Sequence, residues 1–172
     1  MKFGLIIILL SMNFAQNINF YNKDNESFAD VKTKDFTFTC RVGGMEKDKE
    51  TIFLLHGFPE TSRMWNGLIK VLENEGYRII APDQRGYSKG ARPSKVSDYT
   101  IDKLTQDVID IANEFNIDKF HLVGHDWGSA VGWYIASNFS DRIITWSALS
   151  VPHLDAFVYS MRNDKVQIKK SE

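Results

Sequence analysis

The sequence has one cysteine, Cys40. That excludes an internal disulfide framework and a cysteine-based zinc site. Of its four histidines, His56, His121, His125 and His153, only His121 and His125 have the H-x-x-x-H spacing; they lack the glutamate of H-E-x-x-H and fall on a predicted strand and its turn, so the helical signature of a metal hydrolase is missing. Positive charge is not in excess: 21 Lys and Arg stand against 22 Asp and Glu. A nucleic acid would meet no basic field, and that partner class is set aside. Long hydrophobic runs are also lacking. The N-terminal stretch Phe3–Leu10 is eight residues, far short of the ~20 that cross a bilayer.

What is present is an ordinary globular balance, 43% hydrophobic and 25% charged over 172 residues. One domain with a sizeable core is the expectation. The start of the chain reads as an address. Lys2, the run FGLIIILL and then SMNFAQ, with small Ala15, have the order of a secretory signal peptide. The reading is a signal over residues 1–15 and a secreted, periplasmic or extracellular mature chain from residue 16. No membrane span remains after its removal.

Gln16–Asp24 is polar and Asn-rich, which predicts an exposed lead-in. Phe36–Val42 (FTFTCRV) alternates, as a half-buried antiparallel strand at a sheet edge does. Cys40 then reads as core. Four runs do not alternate: Thr51–Leu55, Arg78–Ala81, Phe120–Val123 and Ile143–Leu149. Strands buried on both faces of a parallel sheet read this way. Between them lie helical patterns. Ile101, Leu104, Val108, Ile111 and Phe115 share one helix face, with Thr100 placed to cap it. Met64, Trp65, Leu68, Ile69 and Leu72 mark a helix that ends near Gly76. Trp127–Phe139 is apolar nearly all round, as a buried helix is. The fold class is therefore α/β, a mostly parallel sheet with helices on both faces.

One turn carries chemistry. Gly124-His125-Asp126-Trp127-Gly128 joins a strand to a helix. G-x-D-x-G there has the form of a nucleophile elbow with Asp in the serine position. Glycines let strand and helix approach, and the helix N-terminus favours an ionised carboxylate. A plain helix-capping Asp126 fits the same five residues. His56-Gly57-Phe58-Pro59-Glu60 follows an earlier strand, where elbow hydrolases place an oxyanion-hole loop. Phe58 and Trp127 are then the expected backbone donors. Pro59 has no N–H and restrains Phe58 towards extended geometry. The Phe58–Pro59 bond is a candidate cis peptide. His56 reads as a structural histidine of this loop.

With Asp83-Gln84-Arg85-Gly86-Tyr87, these segments resemble the α/β-hydrolase superfamily, and within it the branch of epoxide hydrolases and haloalkane dehalogenases. Ser150-Val151-Pro152-His153 is similar to the end of that family's next strand. The resemblance runs over roughly residues 30–155. It implies Asp126 as nucleophile, Phe58 and Trp127 as oxyanion donors, and His56, Gly57, Pro59, Gly124, His125 and Gly128 as motif support. Asp83 and Arg85 belong to a structural turn. It implies no cofactor and no metal. The expected reaction opens an epoxide to a diol through an Asp alkyl–enzyme ester. The expected partner is a small apolar epoxide.

Phe58 follows His-Gly where the dehalogenases usually carry a polar residue to help hold halide, which favours an epoxide. No arginine follows Asp126, which disfavours a carboxylate substrate. The family also has a helical lid, a second acid and a later histidine. In this sequence only the start of a lid, about residues 155–172, is expected. His153 lies too close to the preceding strand to be that histidine and reads as lid floor. The expectation is thus the N-terminal part of the fold, doubtful in full turnover. The alternatives are a haloalkane dehalogenase and a catalytically incomplete binding protein.

Overall fold

The computed structural model describes residues 17–171. The export-signal reading of residues 1–15 lies outside them. Seven strands form one mixed sheet: β1 (Ile18–Lys23), β2 (Glu26–Lys32), β3 (Thr37–Gly43), β4 (Thr51–Leu55), β5 (Arg78–Pro82), β6 (Phe120–His125) and β7 (Ile143–Leu149). Their order is β1-β2-β3-β5-β4-β6-β7. β1, β2 and β3 pair antiparallel, and β3 meets β5 antiparallel. From β5 through β4 and β6 to β7 the sheet is parallel.

The N-terminal side differs from expectation. Gln16–Asp24 is no loose lead-in, because β1 occupies most of it and pairs with β2. Asp24 and Asn25 make the turn at φ 52° and 62°, a left-handed geometry that Asp and Asn tolerate. β3 is consequently an inner strand. Its alternation still has the stated cause: Phe38, Cys40 and Val42 point into the core, all at most 5% exposed.

Among the described residues, five α-helices connect or flank the strands: α1 (Asn66–Asn74), α2 (Ile101–Glu114), α3 (Trp127–Asn138), α4 (Leu154–Asn163) and α5 (Lys165–Ser171). β4 is buried along its whole length, and its side chains alternate between two layers. Phe53 and Leu55 join Phe38, Phe120 and Leu122 under α2 and α3. Ile52 and Leu54 join Ile79 and Ala81 under Trp65 and Ile69, at and within α1. Both faces of the sheet are therefore covered, as the unbroken apolar runs predict.

Three local expectations need correction. Thr100 stands at the N-cap of α2, but its hydroxyl makes no capping hydrogen bond. β7 is not buried on both faces, since Ile144 and Leu149 are exposed. It ends the sheet, with β6 as its one strand neighbour among the described residues. The C-terminal helical stretch is divided at Asp164, whose backbone is extended. Its carboxylate accepts from the N–H groups of Val166 and Gln167, at 2.8 and 3.2 Å, so it starts a second helix.

Candidate active site

The turn from β6 to α3 is built from its backbone outward. Asp126 has φ 51° and ψ −117°, outside the usual regions for a non-glycine residue. Bonds on both sides hold it there. Its N–H donates to the Leu149 carbonyl at 3.2 Å, and its carbonyl accepts from Ser129 and Ala130 N–H at 2.9 and 3.1 Å. The Ser129 hydroxyl is buried between the carbonyls of Gly124 (2.6 Å) and Leu149 (2.9 Å). It ties the elbow to the end of β7. Nothing in the sequence pattern singles out Ser129.

The glycines are steric requirements. A Cβ on Gly124 would lie 2.4 Å from the Gly128 carbonyl oxygen. One on Gly128 would lie 2.3 Å from the Leu55 carbonyl oxygen. Both obstacles are backbone, so neither can yield by a rotamer change. At Gly57 the obstacle is the candidate nucleophile itself: a Cβ there would stand 2.5 Å from Asp126 Cβ.

The loop after β4 faces the elbow. The Phe58 N–H donates to Asp126 Oδ1 at 2.8 Å. Hydrogen bonds from Phe58 and then Trp127 N–H hold the Asp126 carboxyl below the usual carboxylate range. The two backbone donors expected from the sequence thus converge on this carboxylate. The Phe58–Pro59 peptide is cis. His56 is fully buried. Its Nδ1 lies 2.9 Å from the Gly57 carbonyl oxygen, and its Nε2 accepts from Gln84 N–H at 3.0 Å. Both ring nitrogens are therefore committed, one to its own loop and one to the turn after β5. Burial lowers the imidazole pKa, so His56 is neutral near pH 7. Beside the elbow, His125 Nδ1 lies 3.3 Å from Glu60 Oε2.

The turn after β5 supports this wall. Gln84 also donates its side-chain amide to the His56 carbonyl at 2.6 Å. Arg85 makes a two-bond pair with Asp107 of α2, at 2.6 and 2.8 Å. Its third nitrogen donates to the Asp98 carbonyl at 2.6 Å. The hydrogen bonds to Asp107 raise the Arg85 pKa, so it stays charged. A cavity of about 220 Å³ opens between this turn, the Phe58 loop and α3. Phe58 and Trp127, both largely exposed, form its edge nearest Asp126. Leu104 of α2 and Val131 of α3 complete its lining, and their part in it was not legible in the sequence. Among the described residues no three His, Cys, Asp or Glu side chains are grouped to hold a metal.

A sheet of this order, with an elbow at the end of β6, the third strand of its parallel part, and the Phe58 loop opposite, defines a class. Residues 50–158 match the family model described as alpha/beta hydrolase fold, and the chain belongs to that family. The AB hydrolase superfamily protein YfhM of Bacillus subtilis is 42% identical over 123 residues, 72% of this chain and 43% of the relative. Epoxide hydrolase A of Mycobacterium tuberculosis is 38% identical over 109 residues, 63% of this chain and 34% of that protein. The crystal structure of epoxide hydrolase A from Mycobacterium thermoresistibile superposes with a TM-score of 0.70 at 35% identity, covering 74% of this chain and 40% of that one. The chain thus spans less than half the length of these relatives.

Proposed function

We propose that this chain carries the nucleophile and oxyanion hole of an epoxide hydrolase, with Asp126 as the attacking group. The observation that carries the reading is the contact of Asp126 Oδ1 with the Phe58 N–H at 2.8 Å. Oδ1 is held by the Phe58 N–H, and Oδ2 is the oxygen that attacks. Asp126 needs no base, because its carboxyl is already ionised near pH 7. The free oxygen adds to a ring carbon of the epoxide and forms an ester bond. The ring C–O bond breaks, its oxygen takes the electron pair, and that oxygen takes a proton from water.

In the ester, Oδ1 is the carbonyl oxygen and already accepts from the Phe58 N–H, with the Trp127 N–H beside it. Water adding to Cγ would push charge onto Oδ1, where these N–H groups stabilise it. Collapse would release the diol and restore the carboxylate. That second step needs a base. His56 is spent on its loop and the turn after β5, and none of the described histidines hydrogen-bonds Asp126. Relatives named as epoxide hydrolases support the substrate class.

The test is covalent labelling. Incubation with styrene oxide should add the mass of one epoxide to the peptide carrying Asp126. Asp126→Asn should abolish the adduct while leaving the folded circular-dichroism spectrum intact. No adduct in the folded native chain, or an equal adduct in Asp126→Asn, would overturn the reading.

A further inference from the structure

The cavity beside Asp126 has a lining that turns its polarity inward. His56 uses both ring nitrogens, and the Gln84 amide nitrogen is bound to the His56 carbonyl. Arg85 spends its donors on Asp107 and Asp98. The Tyr99 hydroxyl donates to the Pro93 carbonyl at 2.8 Å. What remains facing the space is carbon: the rings of Phe58, Tyr87, Tyr99 and Trp127, with Leu104 and Val131. Among the described residues, only two of its side-chain donors, the Tyr87 hydroxyl and the Trp127 indole N–H, make no hydrogen bond. Such a site suits an apolar group carrying at most one or two polar atoms.

Size narrows this further. An apolar cavity of roughly 150 Å³ takes up benzene, and this one is about 220 Å³. Position narrows it again. Phe58 gives its N–H to Asp126 and its ring to the cavity. The Asp126 charge also helps keep the Tyr87 phenol protonated, after burial. Phe58, and Trp127 next to Asp126 in the chain, thus place the cavity beside the nucleophile.

We infer that this cavity receives the apolar arm of the molecule attacked by Asp126, a single-ring aryl or comparable alkyl group, and that Leu104 in its wall sets the size limit. This rests on Asp126 being the nucleophile. The arm's burial would aim the reacting carbon at the carboxylate.

Rates of Asp126 alkylation in the 172-residue chain by styrene oxide, propylene oxide and a naphthyl oxirane test it. Leu104→Phe narrows the space and should lower the styrene-to-propylene rate ratio about tenfold. Leu104→Ala widens it and should raise the naphthyl-to-styrene ratio by about as much. Either shift in the stated direction supports the subsite. Both ratios staying within about twofold of native overturn it while leaving the nucleophile standing. Alkylation by none of the three epoxides overturns the nucleophile and the subsite together.

Discussion

Asp126 and His56 are both titratable, and their surroundings push them apart in role. Asp126 receives two backbone N–H groups, which favour its charged form. His56 is sealed in, which favours its neutral form. The second case has a consequence for stability. The folded pKa of His56 lies below its ordinary value of about 6.5, so below that pH the unfolded chain binds a proton that the folded chain refuses. Stability is then fully present above about pH 6.5 and is lost as pH falls from there towards the folded pKa. Thermal unfolding at pH ~7 and ~5 checks this. The native midpoint should drop over that window, and His56→Gln should reduce the drop. Equal drops in the two proteins would show that His56 is not its source.

At the scale of elements, the site is assembled by turns that follow the parallel strands. β4 delivers Phe58, β5 delivers Tyr87, and β6 delivers Asp126. The turn after β5 is pinned to α2 by Arg85 and Asp107, whose side chains are 8% and 10% exposed. Arg85→Ala would leave the Asp107 charge buried without its partner, at about 3–5 kcal/mol. Arg85→Ala with Asp107→Ala should cost less than Arg85→Ala alone. Urea unfolding measures both, and additive losses would show that the pair is not coupled. The inner strands of this layer were legible because two-sided burial favours unbroken apolar runs; β7 has the same kind of run although one face is exposed. β1 and β2 were not legible. Their one-sided pattern is diluted by Asn and Asp, and pairing across the Asp24-Asn25 turn, rather than local composition, makes them strands.

Over the described residues, the sheet ends at β1 on one side and at β7 on the other. β1 alternates Asn and Lys with Ile18, Phe20 and Tyr21. β7 ends the sheet with Ile144 at 41% and Leu149 at 44% exposed. α4 adds Leu154, Phe157, Val158 and Tyr159 to the exposed apolar surface. An unpaired apolar edge is a template for association. The 172-residue chain should therefore scatter light increasingly with concentration. Ile144→Lys should lower the scattering and change unfolding free energy by no more than about 0.5 kcal/mol. Unchanged scattering would place the association elsewhere.

Local pattern was enough for the parallel layer, the helices that cover it and the elbow, because burial on both faces and tight backbone approach each restrict the residue types allowed. Gly124, Asp126 and Gly128 are readable for that reason: spacing alone expresses the clash a side chain would meet. Other features depend on residues distant in the chain. The Phe58 N–H reaches Asp126 across 68 positions, and Ser129 gains its role from Leu149. The cavity exists because the turns after β4 and β5 meet α2 and α3 in space. Leu104 looks like any other apolar residue on a helix face until that meeting gives it a wall to line. Packing brings together groups whose separation along the chain carries no periodic signal, and folding had to supply those contacts.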